Sequence, residues 1–128
     1  MAKSGHYYHF VDAALNWTEA LAACKDRNGA LAMAYNADRF KALREVYDSY
    51  RASVGSAAGA WLDGRRANAT SSWRCEDDKI DCASAMPWST GEPNRPDSEH
   101  CVLVWYSRTD GVANFGCDGK MPTICDIP

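Results

Sequence analysis

Glu92-Pro93-Asn94, followed by Glu99 and Cys101, concentrates the chemistry of this chain on one short loop. Two carboxylates and a primary amide supply oxygen ligands, the set a hard cation such as Ca²⁺ takes. An amide beside a carboxylate also donates and accepts hydrogen bonds at once, as a pair of neighbouring sugar hydroxyls requires. Pro93 stiffens the segment, and Cys101 can pin it to the fold. His100, directly after Glu99, offers a softer donor that would suit a Zn²⁺-type ion. The plainer reading makes Glu92-Pro93-Asn94 a surface turn and His100 a solvent-facing imidazole ahead of a strand.

Such a loop needs a frame, and 128 residues suffice for one domain with a sizeable core. Residues 1–5 carry no apolar run and read as a remnant ahead of a mature secreted domain. No apolar stretch approaches the roughly 20 residues of a membrane span. Fourteen basic against seventeen acidic residues, a net charge of −3, leave no basic stripe for nucleic acid. Six cysteines, none in a Cys-x-x-Cys pair, fit disulfides in an oxidising compartment better than a zinc site. Their spacing alone leaves the pairing open.

The elements follow from pattern. Residues 6–11 (HYYHFV) predict a strand. Asn16 and Glu19 form a capping box for a helix whose buried face is Trp17, Ala20, Leu21 and Cys24. Asn28-Gly29 stops it, and an apolar segment covers 30–34. A second helix begins near Asn36, with Phe40, Leu43, Val46, Tyr47 and Tyr50 inward and Lys41, Arg44, Glu45 and Asp48 facing water. Residues 53–59 read as a small-residue loop, and Ala60-Trp61-Leu62-Asp63-Gly64 as a strand entering a turn. Residues 65–97 lack periodicity but hold Trp73, Trp88, Cys75 and Cys82, which argues for a functional loop region rather than disorder. Residues 101–107, 111–117 and 121–127 predict terminal strands. The order is α+β.

Taken in sequence, these residues resemble the C-type lectin-like domain over nearly the whole chain. Trp17, Ala20, Cys24, Gly29 and Leu31-Ala32 are similar to its first-helix pattern, and Trp61-Leu62-Asp63-Gly64 to its core segment. Trp88, Gly91, Glu92-Pro93-Asn94, Glu99 and Cys101 are similar to its sugar loop, and Cys117 and Cys125 to its last two cysteines. The resemblance implies a fold of two helices on small antiparallel sheets with a long ligand loop. It also implies the disulfides Cys24–Cys125 and Cys101–Cys117, leaving Cys75 with Cys82. A Glu-Pro-Asn loop of this kind implies a cis Glu-Pro bond and recognition of mannose-type sugars through Ca²⁺. Glu92, Asn94 and Glu99 would then be ligands of both metal and sugar.

The chain departs from that pattern where the family places Trp-Asn-Asp. The stretch here is Gly111-Val112-Ala113-Asn114-Phe115-Gly116-Cys117, so the acid is lost and Asn114 is the remaining candidate ligand. Counted back from Cys117, Ala113 and Asn114 replace Asn and Asp; counted forward from Gly111, Asn114 and Phe115 do. A site of Glu92, Asn94, Glu99 and Asn114 would hold Ca²⁺ weakly, because affinity follows ligand charge and number. Arg95 and His100 disfavour a second ion. The acidic run 76–81 reads as a solvated face. Asn16 and Asn68 both head glycosylation sequons, and the loop position favours Asn68.

Two functions follow. One is a secreted module, a candidate homo-oligomer, binding mannose-type glycans on microbial surfaces through one divalent cation. The other is a domain that has lost the sugar and binds a protein. An enzyme is not expected, since no nucleophile elbow or triad is present and the cysteines are taken as oxidised.

Overall fold

A computed structural model describes residues 7–34, 36–54, 58–68, 70–93 and 98–128. The chain runs β1 (Tyr7–Leu15), α1 (Trp17–Lys25), β2 (Ala30–Leu31), α2 (Ala37–Val54), β3 (Gly59–Arg65), β4 (Arg74–Cys75), β5 (Ile80–Asp81), β6 (Cys101–Trp105), β7 (Ala113–Phe115) and β8 (Met121–Ile127). The first and last strands close the domain on itself. β1 pairs antiparallel with β8, from Tyr7 opposite Ile127 to Leu15 opposite Met121, with a bulge between Val11 and Leu15. That bulge carries β1 four residues past its predicted end, because β8 supplies partners that local sequence does not reveal.

β8 also pairs with β2 and, in parallel at Trp61 and Thr123, with β3. From β3 the sheet continues to β4 and β5, while β6 and β7 branch from it on the ligand-loop side. β4 and β5 lie inside the stretch predicted as loop; each has two residues, too few to show alternation. The disulfides are Cys24–Cys125, Cys75–Cys82 and Cys101–Cys117. The first closes 101 residues and is worth about 4–5 kcal/mol in the chain-entropy model.

Helix α1 begins as predicted. The Asn16 side chain accepts from Glu19 N at 2.8 Å, and the Glu19 carboxylate accepts from Asn16 N at 2.9 Å. Trp17, Ala20 and Cys24 are buried, whereas Leu21 is half-buried. Trp17 donates its indole N–H to Leu62 O at 3.0 Å, and Trp61 donates to Leu15 O at 2.8 Å. Each satisfied indole ties one helix or strand end to another, so these tryptophans set architecture. Gly29 is required by contact: a Cβ there would lie 2.7 Å from Asp126 O on β8.

Helix α2 runs to Val54, past the predicted loop start at Ser53. Its buried stripe includes Phe40, Leu43 and Tyr47, with Phe10 of β1 stacked on Tyr50. Arg44 corrects the sequence reading. Its guanidinium donates to Trp105 O at 2.8 Å, Tyr106 O at 2.8 Å and Arg108 O at 3.2 Å. It caps the end of β6 rather than facing water, a role set by a segment more than 60 residues away.

Candidate functional site

The base of the ligand loop is held by residues 110–112. Val112 bridges Trp88, its N–H donates to Pro87 O at 2.9 Å, and Ser89 N donates to Val112 O at 2.9 Å. Gly111 permits this approach: a Cβ there would lie 2.5 Å from Ser89 N and 2.6 Å from the Trp88 carbonyl carbon. The Asp110 carboxylate completes the clamp, accepting from Ser89 Oγ, from Thr90 N at 3.2 Å and from Thr90 Oγ1 at 2.8 Å. These bonds, Ser89's first, hold the Asp110 carboxyl down at about 2. Glu92 N then donates to Ser89 O at 2.9 Å, which places Glu92 directly above the clamp. The Glu92–Pro93 peptide is cis, as the resemblance implies.

Glu92, Glu99 and Asn114 meet in one cavity of about 320 Å³, with Leu103, Trp105, Arg108, Ala113 and Phe115 completing its wall. Asn94 lies outside the described residues. Asn114 is buried, faces Val102 across the β6–β7 ladder, and donates Nδ2 to the Glu99 main-chain carbonyl at 2.7 Å. Any metal contact of Asn114 must therefore use Oδ1. The register runs without a break from Ala113 to Phe115, opposite Cys101. Val112 is wholly buried and Ala113 is buried beside it.

Glu92 Oε1 is buried and has no hydrogen-bond partner among the described residues. Burial pushes its carboxyl up, the Glu99 charge adds to that, and the Arg108 guanidinium pulls the other way. Trp105 stacks on Phe115 with ring centroids 5.3 Å apart, giving the cavity an aromatic flank. Trp105, at the end of β6, thus lines the site. Arg108 has no motif in the sequence that announces this position; the turn after β6 brings it in.

His100 goes elsewhere. It lines a second cavity of about 730 Å³, together with Arg65, Arg66 and Arg74. Its Nδ1 accepts from Arg66 Nε at 3.1 Å. Glu99 and His100 are neighbours in sequence but serve different cavities. Asn68 is exposed, and its Oδ1 accepts from Thr70 N, Thr70 Oγ1 and Ser71 Oγ at 2.9–3.0 Å. The acidic run is paired at its surface: Asp77 binds Lys25 at 2.7 Å, and Asp78 receives two bonds from Arg65.

The Lectin C-type domain model matches residues 13–127, and the chain belongs to that family. Comparison with curated proteins finds no match. Human lithostathine superposes with a TM-score of 0.76 at 17% identity, covering 95% of this chain and 83% of that one. The C-type lectin domain of murine dendritic cell inhibitory receptor 2, in complex with an N-glycan, gives 0.68 at 23% identity, covering 95% and 90%. Herring type II antifreeze protein gives 0.74 at 17% identity, covering 96% and 91%. At these identities the likeness concerns the fold.

The family implies Ca²⁺, and the residues present fit a single ion with a sparse shell. The orphaned Glu92 oxygen beside the Glu99 side chain suits an incoming cation. Against a full shell, no group of three or more His, Cys, Asp or Glu converges on a metal position among the described residues. Arg108 moreover brings a positive charge to the same cavity. Among the described residues, no helix is long and apolar enough to cross a membrane.

Proposed function

We propose that this domain is a secreted carbohydrate-binding module taking a vicinal diol of a mannose-type sugar in the Glu92–Glu99–Asn114 cavity. One observation carries the reading: Glu92, whose buried Oε1 has no hydrogen-bond partner among the described residues, lines one cavity with Glu99, an amide and an aromatic pair. Such an oxygen is costly unless a ligand or ion completes it. Glu92 and Glu99 would hold one Ca²⁺, with Asn94 and Asn114 Oδ1 as further ligands; Zn²⁺ is the alternative ion. When bound, the ion supplies a shared positive centre for two hydroxyls. The carboxylates accept hydrogen bonds from the same hydroxyls, and the Trp105–Phe115 flank shields them from water.

An incomplete shell makes each site weak, so recognition of microbial glycans in innate defence would use several copies. Three disulfides suit the extracellular space. A fold neighbour that holds an N-glycan supports a saccharide as the ligand class. The test is mannose titration by calorimetry with Ca²⁺, with Zn²⁺ and with EDTA, on the native chain and on Glu92→Gln. Heat that depends on metal and disappears in Glu92→Gln is expected; no heat under any condition removes the reading.

A second reading rests on Arg108 and the missing acid. A cavity that already contains a cation and lacks the Asp carboxylate could have exchanged metal and sugar for a protein ligand.

A further inference from the structure

The 730 Å³ cavity on the other side of the 99–100 peptide has the chemistry of an anion site. Arg65, Arg66 and Arg74 line it with His100, and Asp78 is the single carboxylate among its lining residues. Arg65 is matched by Asp78, donating Nε and Nη2 to the two carboxylate oxygens at 3.1 and 2.8 Å. Arg66 and Arg74 are held differently. Arg66 lies over the Trp73 ring at 4.6 Å, donates Nε to His100 Nδ1 at 3.1 Å, and reaches Glu99 O with Nη2 at 3.5 Å. Arg74 donates Nε and Nη2 to the Asp78 main-chain carbonyl at 3.2 and 3.1 Å.

Each of these two guanidiniums is fixed along one edge by neutral acceptors, and neither forms an ion pair with a described residue. The nearby Asp81 is occupied by Ser72 Oγ at 2.6 Å and Ala83 N at 3.0 Å. In each, Nη1 has no hydrogen-bond partner among the described residues. Arg74 is balanced only through space, by Asp78 and Asp81, and two planar, pre-positioned forks without an ion-pair partner match the oxyanion geometry of a sulfate ester or carboxylate. The chain as a whole is acidic, so this local excess of positive charge is not a by-product of composition.

The two cavities share a peptide. Glu99 O accepts from Asn114 Nδ2 of the diol cavity and from Arg66 Nη2 of the basic one. Thr18 and Ser71, whose hydroxyls suit sugar hydroxyls, line the basic cavity as well. We propose that the Arg66–Arg74–His100 cavity binds an oxyanion-bearing sugar residue, so that the domain recognises acidic glycans. The choice of a saccharide rests on the reading of the neighbouring diol site; the anion chemistry does not.

The test uses a sulfated tetrasaccharide from heparin, its desulfated counterpart, inorganic sulfate and mannose, titrated at 150 mM salt. The sulfated tetrasaccharide is expected to bind in EDTA and the desulfated one not. Arg74→Gln and Arg66→Gln should each weaken it about tenfold, Arg66→Lys should restore part of that loss, and Arg74→Gln should leave metal-dependent mannose heat unchanged. Melting curves check that each variant is folded. Equal binding by native and variant proteins, or by the desulfated sugar, overturns the proposal. Inorganic sulfate binding as tightly as the tetrasaccharide reduces the cavity to an anion pocket and overturns the glycan assignment. If mannose fails with every metal while the sulfated sugar binds, the diol reading falls and this one stands.

Discussion

Asn114 Nδ2 donates to the main-chain carbonyl of Glu99 at 2.7 Å, so one buried amide fastens β7 to the residue that ends the ligand loop. An aspartate at position 114 would add an acid to the cavity but could not donate this bond. A carboxylate there would meet the Glu99 carbonyl with no donor between them.

Asn114→Asp should therefore destabilise the metal-free protein. Losing a buried donor and setting a carboxylate against a carbonyl costs about 1–3 kcal/mol. Ca²⁺ should restore the loss, because the added charge strengthens the ion's shell. Thermal melts of native protein and variant, each in EDTA and in excess Ca²⁺, read this directly. A variant that melts with the native protein in EDTA and gains nothing from Ca²⁺ would contradict the geometry.

Arg108 sets the cavity's affinity for cations. Its guanidinium lines the same wall as Glu92 and Glu99 and opposes the rise in the Glu92 carboxyl. Arg108→Gln removes one repelling charge at an exposed position, an effect of about 0.2–1 kcal/mol. Ca²⁺ affinity should rise by about 1.4- to fivefold, more at low salt than at high. Unchanged affinity at low ionic strength would show that Arg108 does not oppose the ion.

Asp63 gives the fold a pH dependence. Its carboxyl is buried in β3 and accepts from Glu76 N at 2.8 Å; burial pushes it up to about 6, against the backbone hydrogen bonds. The unfolded chain releases that proton near 3.8. Between these values the folded state binds more protons, so this group's contribution is full below 3.8 and is lost as pH rises through 6. The span corresponds to about 2–3 kcal/mol. Asn keeps an acceptor for Glu76 N, so Asp63→Asn should remove this slope. Urea midpoints of both proteins at pH 4.5 and pH 7.5 test it: the variant's gain over native should be larger at the higher pH. Equal differences at the two values would place the Asp63 titration elsewhere.

Local chemistry made much of the fold legible. The capping box at Asn16 and Glu19, the buried face of α1 and strand β8 are short-range features, and they appear where the sequence places them. The ordered set of tryptophans, glycines and cysteines that resembles the family was enough to imply all three disulfides. The bulged extension of β1, the two-residue strands β4 and β5 and the inward turn of Arg44 were not legible, because each depends on a partner remote in sequence.

The candidate site divides the same way. The types of donor, two carboxylates, an amide and no third acid, are properties of the sequence at Glu92, Glu99 and Asn114. What surrounds them is a matter of tertiary placement: Asp110 clamps Ser89 and Thr90, Arg108 enters the cavity beside Glu92, and His100 turns to Arg66 and away from Glu99. Sequence order carries no information about which side of a peptide a neighbour faces once strands pair at a distance. Residue identity thus determined what this chain can bind with, and packing of β6, β7 and the ligand loop decided which of those groups meet.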